Sequence, residues 1–203
     1  MSEAGRVIAG SARGTRLVAP GEGTRPFGDR VKQTLFAILE PGLPGAAVLD
    51  LFAGSGAGGI EALSRGAARA IFVERDERAT RIIAENMRKA RVAERGIVHR
   101  ADAISYLNDR AAGDGPFDLV LLDPPYAETA LMTAALSRLG AERGTAPILT
   151  PDATIVAKHF WRDAQPATVG LLASVRTRRF GETALTFYRM ADRELGDAEA
   201  SDG

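Results

Sequence analysis

Asp123-Pro124-Pro125-Tyr126 places a carboxylate, a free carbonyl and an aromatic face within four residues, a grouping suited to an exocyclic amine on a nucleobase. The lone pair of such an amine is delocalised into its ring, so the nitrogen attacks only when its hydrogens are drawn into line. Asp123 and the Pro124 carbonyl would face one NH2 group, and the two prolines, which lack N–H groups, would stiffen the turn that presents them. Tyr126 would stack on the base, an interaction worth about 1–3 kcal/mol. These four residues form the candidate catalytic set, with Tyr126 also binding substrate. An isolated D-P-P-Y would serve equally as a rigid turn in which Asp123 caps the next helix. Its position argues for chemistry: Phe117-Asp118-Leu119-Val120-Leu121-Leu122 is the short apolar run of a buried parallel strand. Open α/β sheets bind ligands at the carboxyl ends of such strands.

A second motif points to a cofactor. Ala47-Val48-Leu49-Asp50-Leu51-Phe52 reads as a strand running into Ala53-Gly54-Ser55-Gly56-Ala57-Gly58-Gly59, after which Ile60, Leu63 and Ala67 mark one face of a helix. Gly54, Gly56 and Gly59 satisfy G-x-G-x-x-G, so NAD and S-adenosylmethionine must both be weighed. Asp50 would meet the cationic amino-acid end of S-adenosylmethionine but would repel a pyrophosphate, and the chain leaves little room for a dehydrogenase's substrate domain. Both points favour S-adenosylmethionine. Glu74 ends the apolar run Ala70-Ile71-Phe72-Val73 and suits a ribose diol, a spacing common to both cofactors; a plain surface charge is the alternative. Asp102 would accept the adenine amino group, or else cap the helix through Ile104, Tyr106 and Leu107. The expected cofactor set is Asp50, Phe52, Ala53, Gly54, Ser55, Gly56, Glu74, Arg75, Asp102, Ala103 and Asp123.

D-L-F-A-G-S-G, the helix end L-S-R-G-A, an acidic residue after F-V, and D-P-P-Y together resemble the class I methyltransferases. Arg6-Val7-Ile8-Ala9-Gly10, Arg13-Gly14, Leu17, Pro20, Arg25-Pro26, Asp29-Arg30-Val31-Lys32 and Leu35-Phe36 narrow the resemblance to the RsmD family, as does Gly181-Glu182-Thr183-Ala184-Leu185. That resemblance implies methylation of N2 of a guanine in 16S ribosomal RNA, with S-adenosylmethionine as cofactor and 16S rRNA or the small ribosomal subunit as partner. The family usually has Thr or Ser before Asp29, where this chain has Phe27-Gly28, leaving Gly28 or Asp29 to cap the first helix. Three other readings stay open: an enzyme methylating adenine N6 or cytosine N4 in DNA, an NAD-linked oxidoreductase, and a non-catalytic rRNA-binding module.

The 203 residues carry 26 Lys+Arg and 26 Asp+Glu, so any RNA contact must come from local charge rather than bulk charge. The local excess lies near the start, where Arg6, Arg13, Arg16, Arg25, Arg30 and Lys32 outnumber Glu22 and Asp29. Arg6, Arg13, Arg16, Arg25 and Arg30 are the candidate RNA-binding residues, and a solvated hairpin kept soluble by its arginines is the alternative. There is no cysteine, which excludes disulfides and thiolate chemistry. His99 and His159 fit packed or surface positions better than a metal site, and no metal is expected. No apolar run approaches the roughly 20 residues that span a bilayer, and the first residues lack a signal peptide's apolar core. A cytoplasmic monomer is expected.

These groups need a scaffold. Residues 1–44 read as an RNA-recognition appendage: a hairpin from Arg6-Val7-Ile8-Ala9 and Thr15-Arg16-Leu17-Val18, then a helix through Val31, Leu35, Ile38 and Leu39. Residues 45–191 read as the methyltransferase core. Strands near 47–52, 70–74, 96–100, 117–123 and 153–160 alternate with helices near 57–66, 77–90, 102–110 and 127–139, the pattern of a parallel sheet. Residues 174–179 and 183–188 read as a hairpin around Gly181. The expected fold is therefore α/β and Rossmann-like, with a mostly parallel sheet, seven-stranded by the resemblance, and helices on both faces. Residues 192–203 read as a disordered acidic tail. The appendage is expected to be dispensable for the cofactor.

Overall fold

In the computed structural model, which describes residues 3–21, 28–125, 128–141 and 147–191, the chain opens with a hairpin of β1 (Glu3–Arg6) and β2 (Arg16–Val18), followed by helix α1 (Asp29–Leu39). Alternation then begins with β3 (Ala47–Asp50), α2 (Ala57–Ser64), β4 (Arg69–Glu74), α3 (Glu77–Lys89) and β5 (Gly96–Arg100). It continues with α4 (Ala103–Asp109), a one-turn helix α5 (Ala111–Asp114), β6 (Phe117–Leu122), α6 (Thr129–Leu139) and β7 (Leu149–Phe160). The last elements are β8 (Thr168–Val169), β9 (Leu172–Phe180) and β10 (Thr183–Met190). The Arg25 and Tyr126 expectations, and that of a disordered tail at 192–203, lie outside the described residues.

The main sheet has the order β5-β4-β3-β6-β7-β10-β9-β8, with the first five parallel and β10 antiparallel to both neighbours. Seven strands were expected and eight are present among the described residues, because Thr168–Val169 pairs with the outer edge of β9. Strand order reverses between β3 and β6, the switch point at which α/β sheets open a crevice. Asp50 is aligned with Leu121 and Leu122 with Ala157, so Asp123 and Lys158 leave their strands side by side while Asp50 lies two residues deeper on β3.

Alternate residues of these strands serve opposite faces. Val48, Ala70, Phe72, Leu119 and Leu121 pack with Ile60 and Leu63 of α2, Ile83 and Met87 of α3, and Leu35 and Phe36 of α1. Leu49, Ile71, Val73, Val120 and Leu122 pack on the other face with Tyr106 and Leu107 of α4 and Met132 and Leu136 of α6. Gly59 allows α2 to approach the sheet: a Cβ there would stand 2.3 Å from a ring carbon of Phe72.

The N-terminal hairpin departs from expectation in its first strand, expected at Arg6-Val7-Ile8-Ala9 and observed at Glu3–Arg6. That strand ends at Arg6; Val7 N–H still donates to the Thr15 carbonyl at 2.9 Å, but Ile8 and Ala9 turn away and donate to the two oxygens of Glu61 at 2.8 and 3.1 Å. Gly10 then lies so close to α2 that a Cβ would be 1.9 Å from the Ser64 carbonyl oxygen. Ala4, Val7 and Leu17 are buried in the same cluster as α1, α2 and α3. Helix α1 has Gly28 at its N-cap with no side-chain cap, consistent with the missing hydroxyl at that position.

Candidate active site

A cavity of about 690 Å³ opens at the carboxyl ends of β3, β4, β5, β6 and β7. Its floor is the loop after β3. Gly54 and Gly56 hold φ of +54° and +77°, left-handed values at which a side chain would be strained. Asp50 lies beneath the loop, where Gly59 N–H donates to its Oδ2 at 2.8 Å. Gly58 makes that approach possible, since a Cβ there would come within 3.0 Å of the same oxygen. Burial pushes the Asp50 carboxyl up to about 7; the Gly59 bond opposes this, and the negative charges of Asp123 and Glu74 reinforce it. A cation placed beside it would favour its ionised form.

Glu74 ties the loop to β4, its Oε2 accepting from Gly54 N–H and its Oε1 from Asp76 N–H, each at 2.9 Å. Each oxygen retains a lone pair, and the side chain lines the cavity. Asp102 caps α4 through Oδ1, which accepts from Ile104 and Ser105 N–H at 3.0 Å. Because both bonds fall on one oxygen, capping and a ligand role are compatible. Phe52, Ala53, Ser55 and Ala103 also line the cavity. Gly56 is not among the lining residues; it turns the loop from behind, against Ile83. Arg75 stands at the rim, ion-paired to Glu128 at 2.7 Å.

Asp123 leaves β6 at the back of the cavity, followed by Pro124, which is buried, and Pro125, whose carbonyl accepts from Glu128 N–H at 2.9 Å. Lys158 Nζ donates to Asp123 Oδ1 and Oδ2 at 2.8 and 2.7 Å. The Lys158 side chain is 7% exposed and that of Asp123 21%. Burial pushes the Asp123 carboxyl above its ordinary value, while the Lys158 charge and hydrogen bonds pull it back. Sequence reasoning missed Lys158 as a site residue. The available signal was a lysine inside the apolar run 155–160, one strand away from D-P-P-Y.

The substrate arginines are elsewhere. Arg6, Arg13, Arg16 and Arg30 are exposed, and none lines the cavity. Arg6 pairs with Asp29 at 3.5 Å. Lys32, counted above in the basic excess, is buried: its Nζ donates to the Arg6 carbonyl and stands 3.8 Å from Glu61 Oε2, and burial lowers its pKa. It cannot reach a phosphate. The hairpin also contributes to the cavity, through Ala4, Pro20 and Gly21. The hairpin, expected to be dispensable for the cofactor, thus borders the same cleft, a placement the charge count could not show. His159 is buried and bonded to Thr186 Oγ1 and the Phe160 carbonyl, each at 2.9 Å, and His99 Nε2 lies 3.0 Å from Asp114. Among the described residues no group of His, Cys, Asp or Glu is placed to hold a metal, and no helix is long and apolar enough to cross a membrane.

The conserved hypothetical protein 95 profile matches residues 5–189. The Bacillus subtilis (strain 168) protein "Putative rRNA methyltransferase YlbH" is 39% identical over 185 residues, 91% of this chain and 98% of that protein. The Escherichia coli (strain K12) "Ribosomal RNA small subunit methyltransferase D" is 39% identical over 122 residues, 60% of each chain. Among solved structures, "Putative methyltransferase yhhF" from Escherichia coli superposes with a TM-score of 0.80 at 30% identity, covering 94% of this chain and 99% of that one.

Proposed function

The chain belongs to the conserved hypothetical protein 95 family, and from that premise we propose that it is an S-adenosylmethionine-dependent methyltransferase acting on the exocyclic N2 of a guanine in 16S ribosomal RNA. The observation that carries this reading is the convergence of Asp50, Glu74 and Asp123 on one cavity at the switch point of the sheet. Five acidic residues line that cavity against Arg75 and Lys158, a cleft suited to a cationic cofactor and hostile to a pyrophosphate, which disfavours NAD. The rRNA assignment rests on the relatives named above.

In this reading Glu74 accepts the ribose hydroxyls, Asp102 the adenine amino group, and Asp50 faces the cationic amino-acid portion. When bound, S-adenosylmethionine supplies a methyl group activated by a sulfonium. The protein's task is then to orient the nucleophile. Asp123 and the Pro124 carbonyl accept the two hydrogens of the amine, and Tyr126 stacks on the base, which must be unstacked from the RNA to enter. Most of the rate comes from that positioning. Residues 1–44 serve as the RNA-recognition appendage through Arg6, Arg13, Arg16, Arg25 and Arg30, residues 45–191 carry the cofactor and the transfer, and the protein works as a cytoplasmic monomer.

The test is transfer of labelled methyl from S-adenosylmethionine to bare rRNA, small ribosomal subunits and DNA in parallel, with the product base identified. N2-methylguanine in the ribosomal substrates alone is expected. Label in DNA adenine or cytosine, or NAD binding without S-adenosylmethionine binding, would replace this reading.

A further inference from the structure

Asp123 is an unusual acceptor because both of its oxygens are engaged before any substrate arrives. Lys158 Nζ spans them at 2.8 and 2.7 Å, from a strand that enters the cleft beside β6 in fixed parallel register. Lys158 itself lines the cavity, although its side chain is almost wholly buried. A lysine in such a position loses much hydration and rotamer freedom, and a packed apolar side chain would fill the same space without that cost. Its placement is explained if the ammonium controls the carboxylate.

Resting on the methyltransferase reading above, we infer that Lys158 is a positioning residue for the transfer: its ammonium clamps both oxygens of Asp123 and holds that carboxylate in one orientation as a hydrogen-bond acceptor for the target amine. Each carboxylate oxygen has two lone-pair directions, so one on each oxygen remains for the amine or for water. A freely rotating carboxyl at this position would lose the alignment that localises the amine lone pair. A protonated one would present an O–H where an acceptor is needed.

The surroundings make the clamp necessary. The charged groups that line the cavity with Asp123 are Asp50 from β3, Glu74, Arg75 and Asp76 at and after the end of β4, Asp102 before α4, and Lys158 from β7. Asp50 and Glu74 are the other carboxylates of the same cluster, and Arg75 is held at the rim by Glu128. Lys158 is therefore the cation that meets Asp123 directly. His159, the next residue, is turned away and bonded to Thr186 and the Phe160 carbonyl.

The experiment compares Lys158→Met, Lys158→Gln and Lys158→Arg with the natural chain, measuring methyl transfer across pH, S-adenosylmethionine affinity by calorimetry, and the titration of the Asp123 carboxyl by carbon NMR in cofactor-free protein. The Met and Gln variants should lose at least about tenfold in kcat near neutral pH, with cofactor affinity within a few-fold. Their Asp123 titration, and the acid limb of the rate profile, should move up by about one pH unit or more. Lys158→Arg should restore most of both. An unmoved titration and unmoved acid limb in the Met and Gln variants would overturn the inference, as would a rate deficit in Lys158→Arg equal to that in Lys158→Met. If one neutral variant does not fold, the other and the Arg variant decide. Absence of methyl transfer by the natural chain would count against the proposed function alone, since the titration of Asp123 still reads the clamp.

Discussion

At the scale of single residues, Asp50 and Asp123 are two carboxylates given different tasks by their neighbours. Asp123 has Lys158 against both oxygens, whereas Asp50 has one backbone N–H and is pushed up to about 7 by burial. Asp123→Ala is expected to abolish methyl transfer while leaving S-adenosylmethionine affinity within a few-fold, because it removes an interaction made with the amine; near-normal turnover would remove Asp123 from the mechanism. For Asp50 the sign follows from linkage. Its folded pKa is raised above the unfolded value, so between about pH 4 and pH 7 the folded chain keeps a proton that the unfolded chain releases, and cofactor-free stability falls as pH rises through that window. A bound cation favours the ionised form, so cofactor affinity should weaken as pH falls below about 7, by up to about tenfold per unit. Calorimetry at about pH 6 and about pH 8 checks this, and Asp50→Asn should flatten the difference. These roles were only half legible in the sequence. Asp50 and Asp123 announce themselves by their places after apolar runs, but Lys158 depends on the register between β6 and β7, which no local pattern encodes.

Among the elements, the glycine loop and the N-terminal hairpin are coupled through side chains that have no motif. Asn86 of α3 donates to the carbonyls of Val18 and Ser55, each at 2.9 Å, and accepts from Val18 N–H, joining β2 to the cofactor loop. Glu61 of α2 is fully buried and gathers Ile8 N–H, Ala9 N–H, Arg65 and Lys32. Removing it would leave Lys32 as an uncompensated buried charge. Glu61→Ala is therefore expected to cost about 3–5 kcal/mol, read as a lowered denaturation midpoint, with only a small change expected for the exposed Arg13→Ala. A cost below about 1 kcal/mol would show that the hairpin is not held by this carboxylate. The period of the strands and the turn glycines made most elements readable. The end of β1 was not, because Glu61 lies over fifty residues away in sequence and takes the N–H groups that a longer hairpin would have paired.

For the molecule as a whole, the same packing changes what a deletion can test. Residues of the hairpin line the cavity and share its core, so removing residues 1–20 is expected to damage cofactor binding and stability together and cannot isolate RNA recognition. Point changes on the exposed side can. With Lys32 buried, the basic excess of this region is carried by arginines, of which Arg6, Arg13, Arg16 and Arg30 are exposed, in a chain whose formal charge is zero. RNA binding that depends on such residues neutralises a discrete number of phosphates. Replacing Arg13 and Arg16 together with Ala should then weaken RNA binding and lower the slope of log affinity against log salt by up to about one for each phosphate left without its arginine. S-adenosylmethionine affinity and the melting temperature should stay near those of the natural chain, because both side chains are exposed and outside the cavity. Filter binding over a salt series checks the slope. An unchanged slope with full methylation of the RNA would move recognition away from the hairpin and toward the exposed arginines of β9, Arg176, Arg178 and Arg179, which belong to the same sheet as the transfer site.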